Sequence, residues 1–181
     1  RGEALQFEIF APDGAMVCSG ESASPHFECQ VETALLWDMD TPNLYRLQTS
    51  LVDASHEVVD TLEVRFGFRT IETRDGKLWL NGRPIYLRAA LDQDYYPDGF
   101  GSLPSVEFIE AEFQKAKDMG LNCLRTHIKI ADPRYYAAAD RLGLLIWTEL
   151  PNWITLSAAA QQRARQTLFG MVERDWNHPS I

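Results

Sequence analysis

The dipeptide Asn81-Gly82 stands between two short apolar runs, Leu78-Trp79-Leu80 and Pro84-Ile85-Tyr86. Both residues tolerate the positive φ of a type I′ turn, so the stretch reads as a β-hairpin. Beyond the hairpin the chain alternates between strand and helix. Residues 85–91 form an apolar strand. Ser105 is an N-cap for a helix whose stripe is Val106, Ile109, Phe113, Ala116 and Met119, and Gly120 stops it. Residues 121–126 are a second strand. Asp132-Pro133 then joins an N-cap carboxylate to a proline at the first helical position, and that helix ends at Gly143. Residues 144–147 make a third strand, and Ser157 caps a third helix through Ala160, Ala164, Leu168 and Val172 towards Trp176. Polar and aromatic residues gather where each strand ends, which is where a (β/α) barrel or a doubly wound sheet builds its active site.

The chain ahead of the hairpin has a different texture. Leu5-Gln6-Phe7-Glu8-Ile9-Phe10 alternates, Ala11-Pro12-Asp13-Gly14 turns, and Met16-Val17-Cys18 starts a second strand. Residues 26–31 alternate again, and residues 44–51 and 58–64 are the clearest strands. Short strands separated by turn residues indicate a sandwich. About six are readable where an immunoglobulin-like sandwich has about seven, so the expectation is a sandwich lacking its first strand. The expected division is residues 1–73 for the sandwich and 74–181 for the α/β part. Tryptophans Trp37, Trp79, Trp147 and Trp176 are expected in the core.

With 181 residues, 45% hydrophobic and 24% charged, the chain has material for one or two cores. No apolar run approaches the roughly 18 to 20 residues of a membrane span, and Arg1-Gly2-Glu3-Ala4 lacks the apolar core of a signal peptide. A net charge of -9, spread rather than clustered, argues against nucleic acid and anionic membrane as partners. Cys18, Cys29 and Cys123 are odd in number and form no CxxC, which speaks against a disulfide framework and a zinc site. All three are expected as buried thiols, leaving the compartment open. No Gly-rich phosphate loop follows any strand, which disfavours a nucleotide site.

Taken together the motifs resemble glycoside hydrolase family 2, the β-galactosidases, β-glucuronidases and β-mannosidases. The resemblance runs through Leu36-Trp37, Pro42-Asn43-Leu44-Tyr45, Arg65-Phe66-Gly67-Phe68-Arg69 and Ile71-Glu72. It continues in Asn81-Gly82-Arg83-Pro84, Leu87-Arg88, Met119-Gly120-Leu121-Asn122 and Leu124-Arg125-Thr126. Asp140-Arg141-Leu142-Gly143-Leu144-Leu145 and Asn177-His178-Pro179-Ser180-Ile181 complete it. It implies an immunoglobulin-like β-sandwich followed by the first three β/α units of a (β/α)8 TIM barrel, within an enzyme that hydrolyses β-glycosides with retention. That chemistry uses two carboxyl groups about 5 to 5.5 Å apart, one acid/base and one nucleophile. In the family both glutamates lie beyond the His-Pro-Ser-Ile stretch, so the resemblance implies no catalytic residue within this chain, and a chain inactive alone.

Substrate-binding candidates stand at three strand ends. Asp92 and Asp94 follow the first, where many members carry Asn-Arg-His-Glu-His-His-Pro and only the proline, Pro97, is kept. Ionised carboxylates accept hydrogen bonds from sugar hydroxyls; the other reading is that the two cap or turn the loop. Arg125, His127 and Lys129 follow the second; the arginine matches a barrel arginine that lies beneath the sugar, and its fixed fork of donors suits that place or a structural ion pair. Where the family commonly runs Ser-His-Tyr-Pro this chain has His127-Ile128-Lys129-Ile130, so His127 stands one place off the usual histidine. Glu149, Asn152 and Trp153 follow the third, with Glu149 read as a supporting carboxylate paired with Arg125 and Trp153 either as a sugar platform or as packing beneath the loop. The Glu-Thr-His-Gly stretch that contributes to a metal site in some members is absent, so no metal or other cofactor is expected. A carbohydrate substrate, and self-association through open strand edges, complete the partners. The alternative is a non-catalytic carbohydrate-binding or adhesion module.

Overall fold

The structure, a computed structural model, describes residues 4–97, 99 and 102–181. Residues 1–3, on which the signal-peptide reading partly rests, lie outside the described residues. The first layer is a four-stranded antiparallel sheet in the order β2-β1-β3-β4, made of β1 (Ala4–Phe10), β2 (Met16–Ser22), β3 (Tyr45–Val52) and β4 (Val58–Phe66). The register aligns Phe7 with Gly20 on one side and Thr49 on the other. A Cβ on Gly20 would come within 2.7 Å of the Phe7 ring, so any larger residue there would have to displace that ring. Tyr45, Phe66 and Phe68 form an aromatic cluster at one end of the sheet, with Phe68 edge-on to the other two rings.

Two expectations fail in this layer. Residues 26–31 alternate in sequence yet form no strand; instead Phe27 stacks on Phe7 with ring centroids 3.8 Å apart. Cys18 and Cys29 are not buried thiols but a disulfide, and only Cys123 is a free, buried thiol. Their 11-residue separation escapes any CxxC pattern, because it is the return of the chain across the sheet that brings them together.

Asn81 and Gly82 have φ of 50° and 73°, and the hairpin they turn pairs Leu80 with Arg83. It belongs to a three-stranded antiparallel meander of β5 (Ile71–Arg74), β6 (Lys77–Leu80) and β7 (Arg83–Ile85). The strand expected over residues 85–91 is split between β7 and β8 (Ala89–Asp92). Between them the Arg88 N–H donates to Asn122 Oδ1 at 2.8 Å, diverting the chain into the next sheet.

That next sheet is parallel, in the order β10-β9-β8, with β9 (Cys123–Thr126) in the middle and β10 (Leu145–Trp147) at its side. Helices α1 (Val106–Asp118), α2 (Pro133–Leu142) and α3 (Ala158–Asp175) follow the three strands, each with the serine or aspartate anticipated as its N-cap. One face of the sheet, carrying Ala90, Leu124 and Ile146, packs on Ile109, Phe113, Tyr135 and Tyr136 of α1 and α2. The lower half of the other face, Cys123 and Leu145, rests on Trp37, which is 0% exposed and donates from Nε1 to Asp140 O at 2.8 Å. The upper row of that face, Leu91, Arg125 and Trp147 in register, is open. Trp147, in that row, is therefore exposed rather than core, at 54%; Trp176, at the end of α3, is also exposed, at 79%, and Trp79 is half-buried under Arg74.

Candidate functional site

The C-terminal ends of β8, β9 and β10 lie side by side because the ladder pairs Asp92 with Thr126 and Arg125 with Trp147. Six of the eight sequence candidates meet there in interlocking groups. Asp92 is anchored at both oxygens: the Asp94 N–H donates to Oδ1 at 2.7 Å and the buried Tyr135 hydroxyl to Oδ2 at 2.6 Å. Burial first, and the Asp92 carboxylate second, push the Tyr135 phenol far above its usual range, so it remains a donor. Asp94, buried and with φ of 53°, forms an ion pair with Lys129 from the loop after β9. Asp92 is thus occupied at both oxygens, and Asp94 at Oδ2 alone, its Oδ1 being buried with no hydrogen-bond partner among the described residues.

Arg125 and Glu149 form the second group, Nε to Oε1 at 2.5 Å, and the guanidinium stands 5.9 Å from the centre of the Trp147 ring. Glu149 Oε2 accepts the Ile128 N–H at 2.9 Å. The Arg125 hydrogen bond above all, and then the Ile128 N–H, hold the Glu149 carboxyl below its usual range. Both contacts favour its charged form, which is the form that accepts hydrogen bonds.

His127 forms the third group with Gln93: the histidine Nδ1 lies 2.9 Å from the Gln93 amide nitrogen and 3.1 Å from its oxygen. Its backbone N–H donates to Asp92 O at 3.1 Å. Asn152 and Trp153 stand apart. Asn152 Oδ1 accepts the Trp153 N–H at 2.7 Å, and both line a pocket with Ala160 and Ala164 of α3. Among the described residues neither is hydrogen-bonded to the other six candidates.

Three participants are not evident from sequence. Gln93 stands between the two candidate aspartates, and only the parallel pairing of β8 with β9 brings it to His127. Tyr135 is visible only as one residue of a helix whose N-cap, Asp132, sets it one turn in. Ile128 takes φ of 50°, a conformation no side-chain pattern announces in a β-branched residue.

A parallel strand-helix layer with its hydrogen-bonding groups at the carboxyl ends of the strands is the arrangement of an α/β enzyme site. The family model described as "Glycosyl hydrolases family 2" matches residues 4–69. The chain is 34% identical over 164 residues to a "Putative beta-glucuronidase" of Formosa agariphila, covering 88% of this chain and 19% of that protein. It is 34% identical over 148 residues to a "Beta-galactosidase" of Thermoanaerobacterium thermosulfurigenes, covering 81% and 20%. In three dimensions it is similar to the β-glucuronidase of Parabacteroides merdae with glycerol in its active site, at a TM-score of 0.86 and 25% identity, covering 99% of this chain and 24% of that one. The β-glucuronidase of Ruminococcus gnavus in complex with D-glucuronic acid gives 0.85 and 26%, covering 98% and 30%. The chain belongs to glycosyl hydrolase family 2. It spans about a fifth of the length of these two curated relatives.

Proposed function

We propose that this chain is part of a retaining β-glycosidase and supplies one wall of its sugar subsite. The antiparallel layer is the portion of an immunoglobulin-like domain that leads into the catalytic domain, and β8–β10 with α1–α3 are the opening units of a (β/α)8 barrel. The observation that carries this reading is the polar rim at the strand ends, where Arg125–Glu149, His127–Gln93 and Lys129–Asp94 converge. Fixed donors and acceptors of this kind orient a polyhydroxylated ligand. Arg125 and His127 face the sugar, and Asp92, Asp94 and Lys129 brace the loop beneath, while Asn152 and Trp153 stand farther out against α3. The chemistry itself requires one protonated and one ionised carboxyl group. The family resemblance puts both reacting glutamates beyond the His178-Pro179-Ser180-Ile181 stretch, so the carboxylates of the rim are read as groups that hold and orient rather than react.

The test is to assay the full-length protein carrying this chain on chromogenic β-glucuronide, β-galactoside, β-mannoside and β-glucoside. Turnover of one of them is expected. Carbohydrate binding with no turnover of any would favour the non-catalytic module.

A further inference from the structure

Resting on the reading of His127 as a sugar contact, we propose that Glu149 is a positioning residue. It latches residues 127–129 in a turn that their own sequence resists, and so aims His127 at the ligand. Ile128 has φ of 50°. In that left-handed region the Cβ crowds the following carbonyl oxygen, and a branched Cβ fares worst. No burial compensates, because Ile128 is 41% exposed. What holds the turn comes from its neighbours. Glu149 Oε2 takes the Ile128 N–H at 2.9 Å, while Arg125 Nε fixes Oε1 at 2.5 Å so that the carboxylate cannot swing away. On either side of Ile128, the His127 N–H reaches Asp92 O at 3.1 Å, and Thr126 Oγ1 donates to Lys129 O at 3.2 Å.

Three strand ends therefore impose one turn. Strain of this kind persists where its surroundings over-determine it, and it gathers at sites whose geometry serves function. Here the reversal immediately after His127 brings the imidazole Nδ1 onto Gln93. Among the described residues nothing is hydrogen-bonded to the other ring nitrogen, which is left to the ligand.

The experiment compares wild type, Glu149→Ala and the double variant Ile128→Gly/Glu149→Ala in the full-length protein. It reads hydrogen exchange of the His127 amide, together with kcat and KM on whichever β-glycoside is turned over. Glu149→Ala is expected to speed exchange and lower kcat/KM by about tenfold or more, as misplacement of a contact group does. Adding Ile128→Gly, which takes left-handed backbone without a latch, is expected to return exchange to within about threefold of wild type and to recover most of the lost kcat/KM. A purely electrostatic or ion-pairing role for Glu149 would gain nothing from that glycine. The proposal is overturned if Glu149→Ala leaves exchange unchanged, or if the double variant is no better than the single one. Should wild type turn over no β-glycoside, the functional reading falls, while the exchange comparison still decides whether Glu149 is the latch.

Discussion

Glu149 is the residue on which the rim turns, since it joins the arginine of β9 to the turn that follows the same strand. Left-handed backbone at Ile128 costs of order 1–3 kcal/mol, and a charged acceptor on its N–H is the type of bond that offsets such a cost. The arrangement is pH-sensitive with a definite sign. The Glu149 carboxyl is held below its usual range by Arg125 and then by the Ile128 N–H. A depressed carboxylate stabilises the fold fully above its unfolded value, about 4.3, and that contribution disappears as pH falls through the folded value. Exchange of the His127 amide should accelerate below that range beyond what intrinsic chemistry predicts. In Glu149→Gln the extra acceleration should vanish. An identical acid profile in both would place the sensitivity elsewhere.

At the scale of elements, the helix punctuation was open to reading and the strand breaks were not. Ser105, Asp132 and Ser157 each cap the helix expected of them, because a cap is decided by the hydrogen bond of one side chain to the backbone a turn away. Residues 26–31 and 85–91 misled because alternation records which side chains are apolar, not which backbone partner is available. The first segment is held by a disulfide and an aromatic stack, and the second is diverted by Asn122. In the candidate site, sequence supplied the positions at the strand ends and one pairing, Arg125–Glu149, but not the other partners, since Gln93–His127 and Tyr135–Asp92 join residues 34 and 43 apart. Gly143 shows how closely the elements meet. It caps α2 with φ of 67°, and a Cβ there would come within 2.5 Å of Met39 O in the segment that carries Trp37. Both the left-handed backbone and the close approach demand glycine. Gly143→Ala should destabilise the protein by more than about 1 kcal/mol, visible as a fall in the chemical-denaturation midpoint; an unchanged midpoint would mean that the two segments separate easily.

Across the whole molecule, two features bear on how the chain behaves in isolation. The Cys18–Cys29 bridge ties the segment carrying Phe27 to the edge strand of the antiparallel sheet. Such bonds persist in oxidising surroundings, and losing this one should cost about 2–4 kcal/mol. In denaturant without reductant a thiol reagent should label Cys123 alone; labelling of all three cysteines would show that the bridge is not formed. The second feature is the open upper row of Leu91 and Trp147 on the parallel sheet. Apolar faces and unpaired strand edges associate, so the 181-residue chain by itself should self-associate. A monodisperse monomer by light scattering would contradict that.

The most direct measurement of what this chain contributes is the assay of those 181 residues alone, beside the full-length protein, on the four chromogenic β-glycosides. Turnover by the full-length protein and none by the isolated chain is the predicted result, because in the proposed reading the rim only orients sugar, its carboxylates being held by Arg125, Lys129 and Tyr135. Turnover by the isolated chain, abolished by replacing Glu149, Asp92 or Asp94, would contradict it and make one of those carboxylates a reacting group.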